Sequence, residues 1–245
     1  EKIQQSLDAI SKWADNWGFK ISNTKTVGML FSRNTKRKPT YPKLYLQGAP
    51  VQFVKQTYFL GMLLDETLSW KPHIAALIKA CQRDINLLKD IKGTTWGADQ
   101  HTLLMLYRSL IRAKLDYRCQ VYASANNTLL HQLNSLQHKI LRLCTGTLPN
   151  ISTEELQILT GDLPLQLRRE EHILRYAIRN SIHEDTNPTK STIQECRTPF
   201  SAKFVPKPPA CKRLHTLREE LEITDLQAEQ YTICESPLGE TMHLK

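Results

Sequence analysis

Two places in this chain carry residue types suited to chemistry on phosphates. Lys25 lies in the run Ser22-Asn23-Thr24-Lys25-Thr26, just before an expected strand. A lysine at such an edge can reach a phosphate or hand a proton to a leaving group. A solvated lysine at a strand entrance is the plainer reading. Asp65-Glu66 is the one acidic doublet expected at a strand end. Two-metal phosphoryl transfer needs carboxylates converging from separate strands to hold ions ~4 Å apart. One doublet cannot supply that set, so a solvated turn between strand and helix is expected, and no metal ligands are assigned.

Other chemistries find no purchase in the sequence. There is no glycine-rich phosphate loop, no Gly-x-Ser-x-Gly elbow and no histidine pair at metal-binding spacing. His73, His101, His131, His138, His172 and His183 fall on expected helices, where a polar surface role is the default. The six cysteines are Cys81, Cys119, Cys144, Cys196, Cys211 and Cys234, with no Cys-x-x-Cys among them. Three lie in helical patterns, where a free cysteine behaves as a small hydrophobe. Reduced thiols, an intracellular setting (nucleus or cytoplasm) and no structural zinc are expected.

The elements that would position these residues follow from periodicity. Ile3, Leu7, Ile10, Ala14 and Trp17 recur at helical spacing up to Gly18. Val27, Met29 and Phe31 alternate as in a half-buried strand. Leu44 to Leu46 and Val51 to Val54 flank Gln47-Gly48-Ala49-Pro50 as a β-hairpin, and Tyr58 to Leu64 reads as a further apolar strand. After Trp70 the period becomes helical. One helix opens at Pro72 with Ile74, Leu77, Ile78, Cys81, Ile85, Leu88 and Ile91 on its apolar face. A second starts near Asp99 with Leu103, Leu106, Leu110 and Ile111 inside. A third starts near Asn127 with Leu129, Leu133, Leu136, Ile140 and Leu143 inside, and stops at Gly146. Ser152 to Glu155 forms a capping box for a short helix closed by Gly161. A long helix follows Pro164, with Leu167, Ile173, Leu174, Ala177, Ile178 and Ile182 inside. From Asp185 prolines dominate, apart from a short helix at about 212–221.

Charge is uneven along this plan. The chain carries a net +9. Residues 1–184 hold 25 Lys and Arg against 15 Asp and Glu, whereas 185–245 hold 8 against 9. A basic folded region suits a polyanion such as nucleic acid, or is simply a basic surface. No apolar stretch approaches the ~18 residues that span a bilayer, so no membrane partner is expected.

Residues 1–184 resemble the C-terminal part of the reverse transcriptases of non-LTR (LINE-like) retrotransposons. Trp13-Ala-Asp-Asn-Trp17-Gly18-Phe19 with Lys20 to Phe31 resembles the palm segment called motif D. Phe59-Leu60-Gly61-Met62-Leu63-Leu64-Asp65 resembles motif E, the primer grip. Leu68-Ser69-Trp70 with Pro72-His73-Ile74 resembles the thumb entry. Trp96-Gly97, Leu106 to Ile111, Leu115-Asp116-Tyr117, Gln137 to Gly146, Leu163-Pro164-Leu165 and Arg168-Arg169 follow in the family's order. Each piece is weakly specific, but their order over three quarters of the chain is not.

The resemblance implies an α+β fold: a small β-containing palm remnant (1–68), a mainly α-helical thumb bundle (69–184) and an irregular tail (185–245). It assigns Lys25 as a general acid for the pyrophosphate leaving group. It places Phe59, Leu60 and Gly61 in the primer grip. Lys71, Lys79, Arg83, Arg108, Arg112 and Lys114 become candidates for contacts to template–primer phosphates. The implied partners are an RNA template, a DNA primer and the remainder of the polymerase. The implied Mg²⁺ ions belong to aspartates of a Tyr-x-Asp-Asp loop outside this sequence, so the chain reads as a fragment, inactive alone and without a cofactor of its own. Tyr117-Arg118 departs from the family, which often has Gly after the Tyr. The alternative reading is a non-catalytic helical module, derived from a transposon, that binds nucleic acid or protein.

Overall fold

The computed structural model describes residues 2–32, 40–93, 97–181 and 210–221. They divide into two compact units, Glu1–Asp84 and Ile85–Lys245. The fold is mixed α and β with a helical bundle, as expected.

In the first unit, helix α1 (Lys2–Asn16) ends where Gly18 takes a φ of 71°. The Gln4 side-chain amide exchanges two 2.9 Å bonds with the Tyr45 backbone, and Gln47 Nε2 donates to Asp15 Oδ1 at 3.1 Å. The helix therefore docks through its Gln4, Ser11 and Asp15 face. Of the expected apolar stripe only Ala14 is buried, while Ile3, Ile10 and Trp17 are exposed.

The strands are short and differ from expectation in their pairing. β1 (Val27–Gly28) is parallel to β4 (Gln52–Phe53). β2 (Tyr45–Leu46) pairs antiparallel with β3 (Ala49–Pro50). The turn between them is only Gln47-Gly48, both with positive φ, the geometry that matches strand twist. It closes the hairpin early, so Gln52–Phe53 pairs with β1 instead of continuing opposite β2. The expected strand Tyr58 to Leu64 is in fact a second hairpin, β5 (Gln56–Phe59) and β6 (Met62–Asp65). Leu60 (φ 48°) and Gly61 (φ 80°) form its turn. An apolar run hides such a turn because Leu60 is not a residue that normally marks one.

Helix α2 (Lys71–Ile91) follows, and the division between units falls inside it. In the second unit come α3 (Gln100–Leu106), a π-helical turn (Tyr107–Arg112), α4 (Ala113–Asp116) and α5 (Cys119–Tyr122). After them come α6 (Asn127–Thr145), α7 (Thr153–Thr160), α8 (Leu165–Ser181) and α9 (Ala210–Glu220). Asp99 caps α3, and the expected Ser152–Glu155 capping box opens α7. Gly146 and Gly161 close α6 and α7 in left-handed conformation.

The core of this unit explains the π turn. Leu103, Tyr107, Ile111, Leu115 and Cys119 are all buried, at a strict spacing of four. In an α-helix a four-residue step drifts by about 40°. Four such steps would carry the stripe to the far side. The wider π turn absorbs the drift and keeps one face on the core. Leu103 and Ile111 are buried as expected, whereas Tyr107 takes the inside place expected for Leu106 and Leu110. On α6 the buried face includes Leu130, Leu141 and Cys144 where Leu129 and Leu143 were expected. On α8 Leu165, Ile173 and Ala177 are buried, and Leu167 and Ile178 are exposed. Ile182 and His183 lie outside the described residues. Ile173 and Ala177 pack with Leu214 of α9, and Arg213 holds Glu170 at 2.6 Å.

Cys81, Cys119 and Cys144 are buried. Burial pushes the Cys119 thiol up to about 12 and the Cys144 thiol up to about 11. Both are packing groups.

Candidate nucleic-acid interface

Lys25 sits at the end of a tight turn. Its own N–H and that of Thr26 donate to Ser22 O at 3.2 and 3.0 Å, and the Thr26 hydroxyl donates to the same oxygen. The turn delivers an exposed Lys25 directly to the start of β1.

The β5–β6 turn projects its side chains outward. Tyr58, Phe59 and Leu60 are 68%, 61% and 60% exposed, while Met62 on the partner strand is buried. Phe59, Leu60 and Gly61, the positions assigned to a primer grip, thus form the tip of a hairpin. A left-handed Leu60 is unusual for a γ-branched residue; with Gly61 it gives the two-residue turn of positive φ that matches strand twist.

Asp65 is not in a solvated turn, contrary to expectation. It is buried and accepts from the Thr67 hydroxyl at 2.5 Å, the Ser69 N–H at 3.0 Å and the Trp70 N–H at 3.1 Å. Burial alone would raise its carboxyl, but these donors outweigh it and hold the group below the usual carboxylate range. The bonds secure a connection in which Leu68 (φ 52°) and Trp70 (φ 63°) are both left-handed. His73 is not a surface histidine either. It is buried, Nδ1 accepts the Leu63 N–H at 3.3 Å, and burial lowers its basicity. Asp65 and His73 therefore fix the hairpin against the start of α2.

Lys71, Lys79 and Arg83 are exposed along α2. Successive angles of about 100° per residue place Lys79 and Arg83 within about 40° of each other, with Lys71 about 80° from Lys79. They make one basic face.

In the second unit the candidates behave differently. Arg108 donates to Asp162 Oδ2 from Nε at 3.3 Å and Nη2 at 3.1 Å, and from Nη2 to Thr160 O at 2.6 Å. Arg112 Nη1 donates to Asp162 Oδ1 at 2.6 Å. Lys114 is exposed on α4. Asp116 takes Arg168 in a fork, at 3.0 Å from Nε and 2.5 Å from Nη2. Gln137 is buried, donating to Leu163 O at 3.1 Å and to Tyr107 Oη at 3.4 Å, while accepting from Gln157 at 3.3 Å. Arg118 adopts the left-handed φ of 51° that a glycine would take there, so the turn survives the departure noted in the sequence.

Asp162, Gln137 as a polar hub and the burial of Asp65 escaped the sequence reading. The available signal was an acid lodged between a helix-closing Gly161 and an apolar Leu163-Pro164. Among the described residues, no group of three or more His, Cys, Asp or Glu converges as a cation site would. Asp65 spends its carboxylate on the turn. These residues do not fit a Mg²⁺ site. No helix among them is long and apolar enough to cross a membrane.

The sequence that builds these elements is similar to one class of proteins. The homologues of this chain are RNA-directed DNA polymerases of non-LTR retrotransposons. Among them, the polymerase from mobile element jockey of Drosophila melanogaster is 25% identical over 155 residues, which are 63% of this chain and 17% of the relative. The probable polymerase from transposon X-element of the same species is 24% identical over 144 residues, 59% of this chain and 16% of the relative. A Pol polyprotein from type-1 retrotransposable element R1 of Nasonia vitripennis is 24% identical over 168 residues, 66% and 50% of the two chains. The match thus spans less than a fifth of the two Drosophila polymerases. No protein-family model and no solved structure matches the chain.

Proposed function

We propose that this chain is the palm-edge and thumb portion of a retrotransposon RNA-directed DNA polymerase, and that it holds the RNA template–DNA primer duplex. The exposed β5–β6 tip carries this reading: Phe59, Leu60 and Gly61 offer a rigid turn to a primer end. Lys71, Lys79, Arg83, Arg108, Arg112 and Lys114 supply phosphate contacts, which bind without reading sequence. Lys25 serves as general acid in the longer polymerase, whose two Mg²⁺ ions are held by residues outside this chain. By itself the chain binds and does not polymerise.

The test is the affinity of the full chain for an RNA–DNA hybrid across a salt series. Three engaged cations predict a loss of about 40-fold between 50 and 200 mM salt, and six predict about 1,800-fold. Binding that is absent at 50 mM, or unmoved by salt, overturns the proposal. For Lys25, an unchanged incorporation rate in a polymerase carrying Lys25→Ala removes its acid role.

A further inference from the structure

Arg108 and Arg112 are bound to the two oxygens of one carboxylate, and the environments of the three groups differ sharply. The Asp162 side chain is 0% exposed, whereas Arg108 and Arg112 are 39% and 25% exposed. The acid is therefore sealed behind two cations that still face water. The cluster keeps a net charge of +1, carried on its outer surface. Its backbone origin is the π-helical turn. That turn brings positions four apart onto one line, so Arg108 and Arg112 form a second stripe beside buried Tyr107 and Ile111. Asp162 reaches them from the segment between α7 and α8, and the Thr160 carbonyl adds a further acceptor to Arg108. Arg108 thus has Nε and Nη2 committed inward, and Arg112 has Nη1. The Nη1 group of Arg108 and the Nη2 group of Arg112 remain to donate elsewhere.

An exposed arginine ordinarily loses rotamer freedom when it grips a phosphate, a cost of about 2- to 12-fold in affinity per side chain. Here that freedom is already spent on Asp162 and Thr160. Guanidinium donors fixed in plane suit the tetrahedral oxygens of a phosphodiester, which a fork of N–H groups meets better than a point charge.

We infer that Asp162 is a positioning residue: it holds Arg108 and Arg112 as a preorganised two-guanidinium fork for one backbone phosphate of the bound duplex. The inference rests on the nucleic-acid reading above and adds the acid that makes the two arginines act together.

Charge alone predicts the opposite of positioning, which makes the test sharp. Asp162→Asn raises the local charge by one. If the arginines are mere point charges, binding to an RNA–DNA hybrid tightens. If Asp162 positions them, binding weakens by about tenfold despite the added charge, and Asp162→Glu recovers part of it. The wild-type chain gives an independent readout that needs no variant. With arginine side chains labelled with ¹⁵N, the Nε–Hε signals of Arg108 and Arg112 shift on adding the hybrid. Tighter binding by a folded Asp162→Asn chain overturns the inference. So do unmoved Arg108 and Arg112 signals while the hybrid binds, and either result leaves the duplex-binding reading standing. Failure of the wild-type chain to bind the hybrid at 50 mM salt overturns that reading, and the inference with it.

Discussion

The two units place their candidate residues in opposite ways. In Glu1–Asp84 the residues that carry the functional reading stand outside the fold, on a hairpin tip, a strand entrance and a helix face. The polar groups that hold them, Asp65 and His73, are separate and buried. In Ile85–Lys245 two of the three candidate cations, Arg108 and Arg112, are tied to a buried acid because they close over Asp162, while Lys114 is exposed. Substitution should therefore separate binding from stability in the first unit and couple them in the second.

The largest effect should come from the core under that network. Ile140→Ala removes a fully buried side chain from α6. It should cost about 2–5 kcal/mol, read as a fall in the helical melting transition followed by circular dichroism. A loss below about 1 kcal/mol would mean that the bundle is loosely packed. Asp65→Ala should cost about 1–3 kcal/mol, because it strands the Ser69 and Trp70 N–H groups, while Lys79→Ala lowers duplex affinity with no change in melting. If Lys79→Ala also unfolds the chain, the separation drawn for the first unit fails.

Acid should act on the first unit in two stages. His73 is held neutral, so its folded value lies below the ordinary 6.5. Its contribution is complete above 6.5 and is lost as pH falls through the lowered value, because a protonated Nδ1 cannot accept from Leu63. Asp65 is also lowered, from 3.8, so its contribution is present above 3.8 and fades as pH drops through its folded value. Urea melts at stepped pH should show stability falling in both windows. His73→Gln should remove the first decline and leave the second. The smallest effect should be a gain: Arg118→Gly relieves a left-handed residue and should raise stability by about 0.5–1 kcal/mol. A destabilised variant would show that the Arg118 contact over the Tyr117 ring, 5.3 Å to its centroid, outweighs the strain.

The helical half was legible from periodicity and caps, since Asp99, Ser152, Gly146 and Gly161 act locally and stand in the sequence. Burial was less legible wherever a face drifted. A period of four looks like an imperfect 3.6 until the π turn is seen, which is why Leu106 was placed inside and Tyr107 was not. The small sheet was hard to read because its strands are two to four residues long and two turns are set by Gln47 and Leu60. The motif pieces at Tyr107-Arg108, Asp116, Gln137, Leu163 and Arg168 were recognised one by one. Their joining is tertiary: Arg108 meets Asp162 across 54 positions and Asp116 meets Arg168 across 52. No local pattern encodes such distant pairs, so Asp162 stayed invisible although its partners were named.

The π turn also sets how this segment tolerates changes in length. It behaves as a helix carrying one residue more than an α-helix would need between Leu103 and Leu115. Deleting one residue there would restore regular winding and leave Leu115 about 20° from the line of Leu103, because the spacing then matches eleven α-helical steps. Deletion of Ser109, whose side chain is exposed, should therefore keep Leu115 on the core, whereas one inserted residue would turn every later side chain by about 100° and swing Leu115 off it. Across these six residues one deletion should be tolerated and one insertion should not, an asymmetry that most surface segments lack.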